Sequence, residues 1–363
     1  MAPHQLPDFP WDKLTKFGEL AAEYSDGICN LSVGTPVDPV PQVIQDALRD
    51  AADSPGYPTS HGAAELREAV VDWFARTAHV PNLDPLNVLS TIGTKEFIGG
   101  LPTYLGLGRD DLVVIPTTAY PTYDVGAQFA KCQIIATDSL TSLGPQVPKL
   151  IWLNSPSNPT GKVLPTEHLR KVVEWARERA VLVASDECYF ELGWDAEPIS
   201  ILHPDVCGDS HDGILAVHSL SKRSNMAGYR YGYVAGDPRV IAQLLELRKH
   251  MGMMVPTPIQ RAATTALRDD EHVAIQRERY FERRAALIVA LTAAGFRIDN
   301  SEAGLYLWAT RDEPCWDTVG WFADRGILVA PGDFYGPSGA SHVRIALTAT
   351  DERVASAAQR LRG

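Results

Sequence analysis

The feature that most restricts this chain is a series of short runs, apolar on both faces, that recur between helix-period stretches from residue 60 onward. AVLVAS at 180–185 is the clearest of them. A strand apolar at every position needs cover on two sides, and alternation with helices provides it in an α/β fold built on a mostly parallel sheet. Seven strands are predicted, at 88–89, 112–115, 133–136, 150–153, 181–185, 214–218 and 231–235. Leu66, Val70, Trp73 and Thr77 share one helical face. Pro165 is placed to open a helix carrying Leu169, Val172, Val173 and Ala176, with its charges on a solvated face.

After about residue 250 the pattern changes. A long amphipathic helix is predicted over 271–294, followed by strands at 305–308, 327–329 and 343–347 and a terminal helix. The 363 residues suit about two domains. The expectation is a large α/β domain over 41–250, a smaller α+β domain over 251–363, and an N-terminal arm over 1–40 joining the smaller one.

Charge narrows the partners. Lys and Arg number 33 against 45 Asp and Glu, a net charge of -12, the opposite of what binding to nucleic acid or an anionic membrane demands. No apolar run reaches the ~20 residues of a membrane span. The opening MAPHQLPDFPWDKL lacks the basic start and apolar run of a secretory signal. Five scattered cysteines show no metal-ligand spacing, nor do His61, His79, His203 and His218. A cytoplasmic protein with reduced thiols and no metal is expected.

In doubly wound sheets ligands bind beyond the carboxyl ends of the strands, so the polar residues that follow each strand matter most. NSPSNPTG (154–161), DECY (186–189) and SLSKRSNMAGYR (219–230) each follow one. An acid, a lysine and an arginine at strand ends can hold a phosphorylated aldehyde cofactor, and they can also form a structural ion pair. Two other phosphate motifs are absent. GLGRDD at 106–111 lacks a third glycine and a leading strand, and TGK at 160–162 lacks the rest of a P-loop.

In order and spacing, the three segments resemble the class I and II aminotransferases of fold type I, which depend on pyridoxal phosphate (PLP), and the similarity runs from about 31 to 347. The resemblance implies a seven-stranded, mostly parallel sheet with helices on both faces beside a smaller α+β domain. Lys222 matches the lysine that joins the cofactor covalently and moves the proton. Asp186 matches the acid on the pyridine nitrogen, while Tyr189 and Asn158 match the partners of the ring oxygen, Asn158 also touching the substrate carboxylate. Whether the Asn158–Pro159 bond is cis stays open at this stage.

Phosphate binding is implied for Gly93, Thr94, Lys95, Ser219 and Arg230, with Ser221 a weaker helper. Tyr120 matches the ring that stacks on the cofactor, and Tyr123 reads as core. Tyr57 matches a tyrosine reaching the neighbouring subunit's phosphate, which implies a homodimer with shared sites. Arg344 in VRIAL would grip the substrate α-carboxylate, its side chain opposite Val343, Ile345 and Leu347, with the Gly34 backbone nearby.

The implied activity is ping-pong transfer of an amino group from an amino acid to an oxo acid. LSVGTPVDPVP, TIGTKEFIGGLP, SKRSNMAGYR and GMMVPTPIQ most resemble succinyldiaminopimelate aminotransferases of bacterial lysine synthesis. That implies glutamate as donor and N-succinyl-2-amino-6-oxopimelate as acceptor, with Lys95 and Arg223 as candidates for the distal carboxylates. Alternatives are an aminotransferase for alanine, aspartate or aromatic acids, a PLP-dependent β-lyase, and the effector-binding module of a regulator, which would need a DNA-binding domain.

Overall fold

The computed structural model describes residues 10–362, so the first nine residues of the expected arm lie outside the described residues. All seven expected strands form one sheet: β1 (Val88–Thr91), β2 (Leu112–Ile115), β3 (Gln133–Ala136), β4 (Leu150–Asn154), β5 (Leu182–Asp186), β6 (Ile214–Ser219) and β7 (Gly232–Gly236). Their spatial order is β1-β7-β6-β5-β4-β2-β3. Only β7 runs against its neighbours; the remaining pairs are parallel.

Successive side chains of a strand point to opposite faces, and here each face has its own apolar cluster. Val114, Ile151 and Val183 pack with Leu66, Val70, Trp73, Leu169 and Val172. Val113, Trp152 and Ala184 pack with Phe97, Ile98, Leu101, Ile241 and Leu244 on the other side. The helices supplying this cover are α1 (Ala64–Thr77), α2 (Thr94–Tyr104), α3 (Thr166–Arg177) and α4 (Pro238–Met251). Every residue of β1, β2, β4, β6 and β7 is buried. The strand β3, at one edge of the sheet, is exposed or half-buried throughout.

A third apolar cluster gathers around α5 (Glu271–Ala293), the long helix expected from the sequence. It adjoins a four-stranded antiparallel sheet of β8 (Arg297–Ile298), β9 (Tyr306–Thr310), β10 (Ala330–Pro331) and β11 (His342–Ala346), in the order β10-β11-β9-β8. The strand anticipated at 327–329 is present as Ile327–Leu328. It lies outside this sheet and pairs in parallel with Cys29–Asn30. Cys29 and Leu31 are buried in the same cluster as Ile327 and Leu328, so the segment entering from the N-terminus packs on the C-terminal part. Among the described residues, no helix is long and apolar enough to cross a membrane.

Candidate active site

Parallel register alone brings the predicted segments together. Asn154 lies opposite Asp186, and Asp186 opposite Val217, so the carboxyl ends of β4, β5 and β6 form one rim. Asp186, the last residue of β5, is 5% exposed. The Tyr123 hydroxyl donates to its Oδ2 at 2.8 Å, and the Cys188 backbone N–H donates to Oδ1 at 3.2 Å. Burial pushes the Asp186 carboxyl above its ordinary pKa, and these hydrogen bonds offset part of that rise.

Lys222 sits in the single helical turn Leu220–Arg223 that follows β6. Ser219 caps the turn, its Oγ accepting from the Ser221 N–H at 3.1 Å. The Lys222 ammonium donates to the carbonyl oxygen of Gly34. Burial lowers the lysine's pKa, and the nearby cations Arg344 and Arg230 push it the same way. The amine is therefore easier to deprotonate than a lysine in water.

Arg344, on β11, is 3% exposed. It donates to Asn158 Oδ1 at 2.9 Å and to the Ser32 carbonyl at 2.7 Å. Its guanidinium carbon lies 4.0 Å from the ring centre of Tyr306 and 4.9 Å from that of Tyr335. Its Nε is buried without a hydrogen-bond partner. Tyr189 is buried too, its hydroxyl 3.2 Å from that of Tyr306. The loop carrying Asn158 has two cis peptide bonds, Ser155–Pro156 and Asn158–Pro159.

Gly93, at φ +71°, opens α2 without a side-chain cap. A Cβ on it would lie 2.3 Å from the Arg230 guanidinium, so the arginine rests directly against the helix start. Thr94 Oγ1 accepts from Cys188 Sγ at 3.5 Å, which ties this start to the Asp186 segment, while Lys95 is exposed. Tyr120 lies edge-on to Tyr123 with ring centres 5.7 Å apart, and burial pushes its hydroxyl up to about 12. The structure thus gathers Gly34, Asn158, Asp186, Tyr189, Lys222 and Arg344, with Gly93, Thr94, Ser219 and Arg230 alongside. Tyr57 stands apart, 95% exposed.

One reading of the sequence is corrected. Arg223 cannot reach a substrate: it is 5% exposed and forms an ion pair with Glu191 at 2.6 Å, because it turns back towards Trp73 rather than out of the loop. Tyr123 is core, as expected, yet its hydroxyl is also a hydrogen-bond partner of Asp186. Ser32, Tyr306 and Tyr335 were missed. Ser32 lies within the LSVG segment and could have been found there, whereas nothing local marks the two tyrosines.

These residues fit PLP on observations of the chain itself. An uncapped helix start beneath a guanidinium suits a phosphate. A buried carboxylate with a raised pKa gains from a cation on a ring nitrogen. A desolvated lysine suits covalent attachment to an aldehyde, and the unpartnered Arg344 Nε leaves a donor for a carboxylate.

Known proteins resemble the chain over nearly its whole length. The family model described as aminotransferase class I and II matches residues 26–361. A probable aminotransferase of Mycobacterium tuberculosis is 63% identical over 356 residues, covering 98% of this chain and 85% of the relative. The 4-dedimethylamino-4-oxo-anhydrotetracycline transaminase OxyQ of Streptomyces rimosus is 54% identical over 357 residues, covering 98% and 99%. The solved structure of a probable N-succinyldiaminopimelate aminotransferase from Thermus thermophilus superimposes with a TM-score of 0.88 at 26% identity, covering 98% of this chain and 99% of that one.

Proposed function

The chain belongs to the class I and II aminotransferases, PLP-dependent enzymes of fold type I, and on that premise we propose how its residues divide the work and which substrate they serve. PLP, when bound, supplies an aldehyde that accepts the amino group and a ring that draws electrons away from the substrate Cα. Lys222 would hold the cofactor covalently, and its amine would carry the proton at the substrate Cα. Asp186 keeps the ring nitrogen protonated. Tyr189 and Asn158 hydrogen-bond the ring oxygen, and Tyr120 covers the ring. The start of α2 at Gly93, Thr94 and Lys95, with Ser219 and Arg230, holds the phosphate. Arg344 binds the α-carboxylate beside the Gly34 backbone, oriented by Asn158 and the Ser32 carbonyl. The observation that supports this most is the placement of a desolvated amine and a buried carboxylate beyond neighbouring strands, β6 and β5.

The substrate pair we propose is glutamate and N-succinyl-2-amino-6-oxopimelate, in a cytoplasmic homodimer whose Tyr57 reaches the neighbouring subunit's phosphate. The Thermus neighbour's name supports that acceptor, and Lys95, exposed on the first turn of α2, remains a candidate for its distal carboxylate. OxyQ, at 54% identity, favours a second reading, in which the acceptor is a bulky cyclic ketone.

Absorbance of the holoenzyme on adding glutamate, followed by single-turnover assays with a panel of oxo acids and a polycyclic ketone, tests both. A kcat/KM for the succinylated acceptor at least tenfold above 2-oxoglutarate, pyruvate and the ketone is expected. A preference for the ketone would replace the first reading with the second, and the absence of any spectral response to glutamate would remove both.

A further inference from the structure

Arg344 and Lys222 approach the same space from different parts of the chain, one from β11 and the other from the turn after β6. A single side chain touches the surroundings of both. Tyr306, in β9, is 4% exposed. The register pairs Trp308 with Arg344 and Tyr306 with Ala346, so Tyr306 is the diagonal cross-strand neighbour of Arg344 on one face of the sheet. Its ring lies 4.0 Å from the guanidinium carbon, a cation–π contact in a buried setting. Its hydroxyl meets the Tyr189 hydroxyl at 3.2 Å, the two rings standing edge to face at 73°. An ideal Cβ on Gly34 would come within 2.0 Å of that hydroxyl oxygen, and the Gly34 carbonyl accepts from the Lys222 ammonium.

We propose that Tyr306 is a positioning residue that couples the substrate-carboxylate clamp to the cofactor side of the site. Its ring seats Arg344, its hydroxyl orients Tyr189, and a glycine at position 34 leaves the room both contacts need. The proposal rests on the roles given above to Arg344 and Tyr189. It adds a residue that no motif contains and a reason for the glycine. A tyrosine serving only to fill the core would have its hydroxyl satisfied by backbone or water and its ring against aliphatic side chains. Tyr306 instead spends both ends on site residues.

The ring and the hydroxyl do separate things, and substitution can remove them one at a time. Tyr306→Phe keeps the ring under Arg344 and leaves Tyr189 without its hydroxyl partner. The pH midpoint of the holoenzyme's visible band is expected to shift by about 0.5 unit or more, with KM for glutamate changed less than about twofold. The other titratable groups facing Tyr189, Cys188 and Asp186, are unaltered in that variant. Tyr306→Leu also removes the ring, and KM for glutamate is expected to rise about tenfold as Arg344 loses its seat. Gly34→Ala is expected to raise KM by a larger factor in the wild-type background than in Tyr306→Phe, where the closest clashing atom is gone.

A Tyr306→Phe enzyme with an unshifted midpoint, or a folded Tyr306→Leu enzyme with an unchanged KM, overturns the proposal. If the leucine variant does not fold, the phenylalanine titration alone decides. A wild-type protein showing no visible band would overturn the underlying reading instead, so the two failures are distinguishable.

Discussion

Burying a carboxylate is unfavourable unless a positive charge arrives to meet it, and Asp186 is held in that condition. With its folded pKa raised above the unfolded value of about 3.9, the folded state binds the proton more readily than the unfolded chain. That contribution to stability is full below the unfolded pKa and is lost as pH rises through the folded one. Cofactor-free Asp186→Asn is therefore expected to exceed the wild type in stability at pH 7, the gap narrowing towards pH 4, as urea denaturation at the two pH values will show. With PLP bound, the same variant's transamination rate should fall about tenfold or more, since each pKa unit lost at the ring nitrogen corresponds to about 1.4 kcal/mol. Lys222→Ala should still bind PLP but lack the visible band, with turnover reduced by about 10²–10⁴ from loss of the proton carrier. Both acidic and basic partners were legible in the sequence because each stands at, or a few residues beyond, the carboxyl end of a strand. Arg223 misled because its neighbour in space, Glu191, lies on a different segment.

Helix α2, proposed to hold the phosphate, has its start fixed by buried contacts. Glu96, in its first turn, accepts the Ile92 backbone N–H at 3.2 Å, the Tyr104 hydroxyl at 3.0 Å, and two bonds from Arg248 of α4 at 2.9 and 3.2 Å. The helix start is thus braced from behind without a side-chain cap on its first amides. Arg248 is 1% exposed, so Arg248→Met should leave Glu96 without its buried counter-charge and cost about 3 kcal/mol, read from urea denaturation. PLP affinity should weaken in the same variant, as a titration of the folded apoenzyme will show. The sequence suggested the start of this helix after the first strand but not its extent, since Gly99, Gly100 and Pro102 interrupt its apolar period. The strands were easier to read. Runs apolar at every position have few alternatives to burial between two layers of helices.

At the scale of the molecule, one side chain expected at the site is almost fully exposed. Tyr57, 95% exposed, suits a partner subunit. Mixing Tyr57→Ala with Lys222→Ala chains should create hybrid dimers with one intact site each, restoring about a quarter of wild-type activity on random exchange. No recovery above the Tyr57→Ala background would place Tyr57 outside any shared site.

What the sequence determined by itself was local: which segments become strands, and which polar residue stands at the end of each. Those follow from short-range periodicity and from the requirement that apolar runs be covered. What only the tertiary structure decided was which distant residues meet. Arg344 reaches Asn158, Tyr306 lies beneath Arg344, Tyr123 donates to Asp186, and Cys29–Asn30 pairs with Ile327–Leu328. Register between strands far apart in the chain, and the competition among buried charges for partners, are settled by the packing of the whole, and no window of sequence contains both members of such a pair.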